Sequence, residues 1–261
     1  MIVDSHCHLD FLREGGGPAA AVERARAAGV TAIVVPGVAP AEWQDLAALR
    51  SLPGVHVAPG IHPEWLTRLS REEVDAGLAD LAAAAKRLGA VAIGECGFDG
   101  PAEKSGIAFE EQTRVVDAHL EVARALGLPV ILHVFRVHGA ALKALARHGP
   151  LAAGGVVHSY SGSAELVPNY VKLNLHLSFA GAITRPNAQR PVAALRAVPT
   201  ERLLVETDSP DQLPSGLDAA FTEPAHAAVV LRAMAGHLGV PDADLAASTT
   251  ANARALFRLP G

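Results

Sequence analysis

Short apolar runs alternate along this chain with longer segments rich in alanine and leucine. Each run is too short for a typical helix and is nearly continuously apolar, which is typical of parallel strands that are covered by helices. Strands are predicted at 2–6, 31–35, 55–60, 91–95, 129–133, 154–158, 175–181 and 202–207.

The segments between these runs carry helix signals. The first helical segment begins with Pro18 and ends before Gly29, which are favoured residues at the start and just past the end of a helix. Helices are predicted at about 18–28, 110–126, 224–238 and 242–257, with a loop over 209–222. Eight strand–helix units in one run predict a parallel (β/α)8 TIM barrel, an α/β fold that spans residues 1–261 as one domain. An open doubly wound sheet is the alternative.

Composition changes this picture mainly through charge. The chain has 261 residues, is 50% hydrophobic and carries a formal net charge of −5. It contains no run of basic residues, and proteins that hold long nucleic acids usually present a basic face. We therefore expect no extended nucleic-acid-binding surface, although bound cations could still attract a phosphate ester.

Two further features bear on the location of the protein. Charged residues such as Asp80 and Lys86 interrupt the alanine-rich region at 78–93, so we expect no membrane helix, and we see no secretion signal. Cys7 and Cys96 each stand beside a candidate metal ligand. We interpret both as buried fillers that point away from the barrel interior, with metal binding as the alternative. A cytoplasmic protein is expected.

Side chains that bind metals recur at the carboxyl ends of five predicted strands. They are His6, His8, Glu95, His133, His158 and Asp208. Because the carboxyl ends of barrel strands meet at one mouth, these side chains are expected to converge there. The set predicts two divalent ions, with Zn, Mn, Fe or Ni better suited than Mg to four imidazole ligands.

The strand order suggests how the ligands divide. His6 and His8 stand two residues apart and so share one face of the first strand, and Asp208 ends the eighth strand, which adjoins the first in a closed barrel. His133 and His158 end neighbouring strands and would hold a second ion, with Glu95 between the two ions. Such centres hydrolyse esters with a metal-activated hydroxide. We expect Glu95 and Asp208 to be catalytic, with Asp208 as the proton acceptor.

Other polar residues are candidates for contacts around the metals. His62, Arg136 and Ser161 are predicted to bind substrate. The alternatives are that His62 forms a hydrogen bond that braces its loop and that Arg136 forms a solvated salt bridge. Ser161 could instead be present only because serine is favoured in turns. Asp4 is either a support for a ligand or a solvated carboxylate. The histidines on predicted helices, such as His119, are expected to be surface or packing residues.

Several motifs resemble those of a known family. They are DSHCHLD at 4–10, GIHPE at 60–64, AIGECGFD at 92–99, LPVILH at 128–133, VVHSYSGS at 156–163 and LLVETDSP at 203–210. In this order they resemble the TatD-type metal-dependent hydrolases of the amidohydrolase superfamily. The resemblance implies a TIM barrel with one or two metal ions held by the six ligands named above. Related proteins are described as magnesium-dependent deoxyribonucleases, as 3′–5′ exonucleases or as hydrolases of other esters.

The chain departs from the pattern of that family after the fifth strand. Many members have the sequence His-x-Arg after the fifth strand, whereas His133 and Arg136 here are separated by two residues. We therefore expect a metal-dependent hydrolase whose first candidate substrate is a phosphodiester bond of DNA. The alternative substrate is a small-molecule or aminoacyl ester or amide. A barrel that binds ligands without catalysis is the third possibility, and the complete ligand set argues against it.

Overall fold

The computed structural model describes residues 1–260, which form alternating strands and helices. The strands are β1 (Ile2–Asp4), β2 (Val30–Pro36), β3 (Val55–Ala58), β4 (Ile93–Asp99), β5 (Val130–Phe135), β6 (Gly155–Val157), β7 (Leu175–Phe179) and β8 (Leu203–Val205). The helices are α1 (Gly17–Ala27), α2 (Trp43–Leu49), α3 (Arg71–Leu88), α4 (Gly100–Lys104), α5 (Phe109–Leu126), α6 (His138–Ala146), α7 (Val167–Lys172), α8 (Gln189–Ala197), α9 (Ala227–Leu238) and α10 (Asp242–Phe257). All eight predicted strands are present.

The strands form a parallel barrel. The order β1-β2-β3 makes one sheet and β4-β5-β6-β7-β8 makes the other. Backbone hydrogen bonds connect both seams: Val91 donates to Val57 between β3 and β4 (3.0 Å), and Ser5 donates to Val205 between β1 and β8 (3.1 Å). The fold is therefore the predicted (β/α)8 barrel.

Two apolar layers hold the barrel together. A small inner cluster contains residues from six of the strands and from the last helix, α10. Its members are Val3, Ala32, Val34, Ala58, Ala92, Ile131, Val156, Leu204, Ala253, Leu256, Phe257 and Leu259. The Thr250 hydroxyl on α10 donates to the carbonyl of Met1, at the start of β1 (2.9 Å). Because α10 covers the amino ends of the strands, the opposite mouth is left for a site.

The larger apolar cluster lies between the strands and the outer helices. Cys7 and Cys96 belong to this outer cluster, and both are free and buried. Their side chains thus pack in the outer apolar layer, as predicted for buried fillers. None of the helices within residues 1–260 is long and apolar enough to cross a membrane.

The fourth strand is longer than predicted and this length matters for the site. It continues past Glu95 to Asp99 and pairs with β5, with Gly97 opposite His133. A side chain at Gly97 would collide with the backbone carbonyl of His133, so only glycine lets the two strands approach here. This close approach brings β4 and the His133 backbone together at the mouth.

Candidate metal centre

The six predicted ligands converge at the carboxyl mouth, and Glu95 lies among them. Its Oε2 lies 3.2 Å from Nε2 of His6 and 3.5 Å from Nε2 of His8. Its Oε1 lies 3.0 Å from Nδ1 of His133 and 2.8 Å from Nε2 of His158. One buried carboxylate therefore divides four imidazoles into two pairs.

Asp208 approaches the pair formed by the first strand. Its Oδ1 lies 3.5 Å from Nε2 of His6 and 3.9 Å from Nε2 of His8. The position follows from the backbone, because Asp208 N–H donates to the carbonyl of His6 across the seam (2.9 Å). Ligand atoms of His6, His8 and Asp208 lie within 4.8 Å of one another, close enough to hold one ion.

The second pair is also compact. Nδ1 of His133 lies 3.1 Å from Nε2 of His158, and the imidazole of His158 stacks on that of His6 with ring centres 3.9 Å apart. The two histidine pairs are thus in direct contact around Glu95. Such an arrangement is compatible with two ions at the short separation that hydrolytic two-metal centres use.

His62 also reaches this cluster, but its hydrogen bonds indicate a different role. Its Nδ1 accepts a hydrogen bond from the backbone N–H of Glu64 (3.1 Å), so the neutral ring carries its proton on Nε2. That nitrogen lies 3.2 Å from Oε1 of Glu95. Burial lowers the pKa of His62, which favours the neutral ring. The side chain therefore braces its own loop and presents a hydrogen-bond donor to Glu95.

The donor set fits divalent cations. Within the described chain, the buried Oε2 of Glu95 has no hydrogen-bond partner although two imidazole nitrogens lie near it, as expected of an atom arranged for a cation. Burial alone would raise the pKa of Glu95, but His158, His62 and His6 hold it well below its usual value. The pKa of Asp208 is also lowered, because nearby histidines outweigh the effect of burial. Although burial opposes it, these carboxylates in turn raise the pKa values of His8, His133 and His158, so a bound M²⁺ ion would take the place of protons on the imidazoles.

Three further carboxylates hold the candidate ligands or their strands in place. Oδ2 of Asp99 lies 3.0 Å from Nε2 of His133 and so orients that ring, which the sequence interpretation missed. Glu206 accepts a hydrogen bond from the backbone of Ser159 (2.6 Å) and lies 3.6 Å from Nδ1 of His158. Asp4 contacts no imidazole.

Asp4 instead connects the two strands at the seam. Its fully buried carboxylate accepts hydrogen bonds from the backbone (2.9 Å) and hydroxyl (2.6 Å) of Thr207 and from the backbone of His6 (3.3 Å). Of the two alternatives for Asp4, the solvated carboxylate is therefore wrong. Asp4 supports the ligands through the backbone, because it fixes β1 against the end of β8.

Gln212 is a further residue that sequence reasoning missed. It lies in the loop after β8, and its side-chain amide donates to Oδ2 of Asp208 (2.6 Å) and to the hydroxyl of Ser159 (2.5 Å). The amide thus holds one oxygen of Asp208, while Oδ1 faces the histidines. The only signal in the sequence is its place four residues after a candidate ligand.

A cavity of about 510 Å³ opens beside the centre and is bordered by His133, His158 and Asp208. Its other walls combine apolar and polar side chains, among them Phe135, Tyr160, Ser161, Phe179, Ile183, Arg185, Pro191 and Gln212. Ser161, which was predicted to bind substrate, thus lies at the wall of this cavity. Arg136 does not line the cavity; it is exposed, with its guanidinium 4.8 Å from the centre of the Phe135 ring. Arg136 is therefore not placed at this cavity for the substrate contact predicted for it.

A parallel barrel with histidines and carboxylates at its carboxyl mouth is the arrangement expected of a metal-dependent hydrolase. The family model described as TatD related DNase matches residues 3–258, and the chain belongs to this family. It is 33% identical over 261 residues to the uncharacterized metal-dependent hydrolase YjjV of Escherichia coli K12, covering 99% of this chain and 98% of the relative.

Two other comparisons extend this result. The chain is 32% identical over 246 residues to the 3′-5′ ssDNA/RNA exonuclease TatD of Erwinia billingiae, covering 92% of each protein. The crystal structure of the Escherichia coli K12 TatD homologue YjjV superposes with a TM-score of 0.89 at 31% identity, covering 99% of this chain and 98% of that one. The resemblance found in the motifs is therefore confirmed, and the chain is a metal-dependent hydrolase.

Proposed function

We propose that this protein is a two-metal phosphodiesterase that removes nucleotides from the end of a nucleic acid strand. The observation that carries the proposal is the carboxylate of Glu95, whose two oxygens face separate histidine pairs. His6, His8 and Asp208 would hold one ion, and His133 and His158 the other. When bound, the ions would generate a nucleophile from water near neutral pH and offset charge on the phosphoryl oxygens.

The residues around the ions would then position substrate and move one proton. Asp208 is ionised and oriented by Gln212, so it would accept the proton that the attacking water loses. His62 would act as a neutral hydrogen-bond donor to Glu95. Ser161 and the exposed Arg185 line the cavity and would contact phosphoryl oxygens, with Arg185 in the role expected of Arg136.

A strand end is favoured over the interior of a long nucleic acid for two reasons. The net charge of −5 gives no overall attraction for a long polyanion, so attraction for phosphate would be concentrated at the metal ions. The cavity of about 510 Å³ is of the size that small-molecule sites have, which suits one terminal nucleotide. The exonuclease named among the relatives supports the same substrate class.

A small carboxylic ester or amide is the second candidate substrate. The observation in its favour is the wall of Phe135, Phe179, Ile183 and Pro191, which would suit an apolar group. Release of label from 3′-labelled single-stranded DNA, measured beside a panel of esters, lactones and amides, separates the two. Turnover of DNA alone supports the first proposal, and turnover of the panel alone would replace it with the second.

Metal content tests the centre itself. We expect about two divalent ions per chain in protein purified without chelator, measured by plasma mass spectrometry, and a sharp fall in Glu95→Gln. Glu64→Gln removes an exposed carboxylate at the same mouth and should retain the metal. One ion or none in the wild type after incubation with Zn, Mn or Mg would contradict the two-ion proposal. Asp208→Asn should fold and lose most of its turnover, and turnover near that of the wild type would contradict its role as proton acceptor.

We also propose a cytoplasmic location. The observation behind it is that Cys7 and Cys96 are both free and buried, which suits a reducing compartment.

A further inference from the structure

A chain of three hydrogen-bonding side chains leads from the outer layer of the barrel to the cavity. The hydroxyl of Tyr170 on α7 lies 2.8 Å from Nδ1 of His138, at the start of α6. Nε2 of His138 lies 3.1 Å from the hydroxyl of Ser161, which lines the cavity together with His133 and His158. Neither Tyr170 nor His138 itself lines the cavity, and none of the roles discussed above uses them.

The tyrosine decides the direction of these hydrogen bonds. Tyr170 is fully buried, and within residues 1–260 its hydroxyl has His138 as its one hydrogen-bond partner. If Nδ1 carried the proton, the tyrosine oxygen would accept it and the tyrosine's own hydrogen would be buried without an acceptor, which is costly. The hydroxyl of Tyr170 therefore donates to Nδ1.

The proton of the imidazole must then lie on the other nitrogen. A neutral ring that accepts at Nδ1 carries its hydrogen on Nε2, which donates to the oxygen of Ser161. Burial, together with the charges of Arg190 and His133, lowers the pKa of His138 to about 4, so the ring is neutral near pH 7. The hydrogen of Ser161 remains available to a molecule in the cavity.

The surroundings of Ser161 hold it in place. The hydroxyl of Tyr160 donates to the carbonyl of Ser163 (2.8 Å), and its ring packs edge-on against His138 at 5.3 Å. A side chain at Gly162 would collide with the ring and hydroxyl of Tyr160, so the turn can pass this close only with glycine. The turn that carries Ser161 is thus packed against Tyr160, and Tyr160 in turn packs against His138.

We propose that Tyr170 and His138 are positioning residues that make Ser161 a hydrogen-bond donor to an acceptor oxygen of the substrate. The inference rests on the proposed function, because it concerns the same cavity. It adds a chemical preference: the group bound beside Ser161 is a phosphoryl or carbonyl oxygen, because the Ser161 hydroxyl keeps its hydrogen free for an acceptor. The opposite tautomer of His138 would reverse this preference, since Ser161 would then donate to the ring and offer only its lone pairs.

The tautomer is tested by ¹⁵N NMR of histidine-labelled, metal-loaded protein, with the His138 signals assigned from their loss in His138→Gln. We expect a protonated Nε2 and an unprotonated Nδ1 in the wild type, and a changed tautomer population in Tyr170→Phe. A protonated Nδ1 in the wild type would overturn the proposal. This readout does not depend on turnover, so it stands even if the proposed phosphodiesterase activity is absent.

The functional link is tested by a double-mutant cycle on a chromogenic phosphodiester with the metal-loaded enzyme. Ser161→Ala should lower kcat/KM by about tenfold or more, as expected for a lost hydrogen bond to a charged oxygen. His138→Leu should cause a similar loss alone and no further loss in the Ser161→Ala background, whereas His138→Gln retains an N–H donor and should recover most of the activity. Additive losses, or equal losses for Leu and Gln, would show a merely structural role. If the wild type has no turnover, the proposed function fails while the tautomer result still decides the hydrogen-bond direction.

Discussion

Replacing His119 should make the protein less sensitive to acid. His119 lies on α5 and is fully buried, which agrees with the packing alternative expected for histidines on helices and not with the surface alternative. Its Nδ1 lies 2.7 Å from the carbonyl of Val115 and donates to it, while Nε2 accepts the backbone N–H of Ile61 (3.0 Å). A second proton on Nε2 would break the hydrogen bond to Ile61, next to His62. Protonation is therefore opposed in the folded state.

The size of the effect follows from two pKa values. Burial lowers the pKa of His119 from 6.5 to about 4 in the folded protein. Below pH 6.5 the unfolded chain binds a proton that the folded chain does not, so the free energy of unfolding falls by about 1.4 kcal/mol per pH unit until pH 4. Between pH 7 and pH 5 this one residue should cost about 2 kcal/mol of stability.

The variant His119→Gln removes the titration and keeps an amide oxygen that can accept from Ile61. We would measure urea unfolding of wild type and variant from pH 7.5 to pH 4.5 with a chelator present, so that metal binding does not contribute. As the pH falls from 7 to 5, the free energy of unfolding of the wild type should decrease by about 2 kcal/mol more than that of the variant.

Leu120→Ala is the matched control, because it removes a buried, non-titrating side chain from the neighbouring position of α5. It should destabilise by about 2–5 kcal/mol at every pH, with a curve parallel to that of the wild type. If the His119→Gln curve also runs parallel to that of the wild type, the assigned hydrogen bonds and the lowered pKa are wrong.

Three further predictions concern the mouth of the barrel. Asp99→Asn should weaken metal binding by about 10–100-fold in a chelator competition, because it removes the charge that orients His133; unchanged affinity would contradict that role. Gln212→Leu should lower kcat/KM by about tenfold, because the carboxylate of Asp208 loses the hydrogen bond that orients it; unchanged turnover would show that Gln212 is dispensable. Gly97→Ala should destabilise by more than about 2 kcal/mol in thermal unfolding. Gly236→Ala, on α9 with open space around it, should not destabilise, and equal losses would refute the packing argument.

Much of the fold could be predicted because its signals are local. Eight apolar runs of strand length, each followed by a helical segment, leave few ways to bury the chain, and the parallel barrel is one of them. The ligands could be located for the same reason, since each of them ends a strand and all strand ends meet at one mouth.

The supporting contacts could not be predicted, because each depends on distances between segments far apart in sequence. Asp99 reaches His133 only because β4 continues beyond Glu95. The apolar pattern that predicts this strand does not show at which residue the strand ends. The role of His62 as a donor depends on a hydrogen bond from the backbone of the next turn. The failure of Arg136 to reach the cavity depends on the direction of one side chain at the end of a strand.

The sequence by itself determined the barrel, the six candidate ligands and the family, because hydrophobic period and residue type specify which elements form and which chemistry they carry. Only the tertiary structure decided how those groups act together. Protonation and hydrogen-bond direction depend on the partner that each buried group meets, as Glu95, His119 and His138 show. Those partners come from other strands and helices, so their effects exist only once the barrel has closed and excluded water.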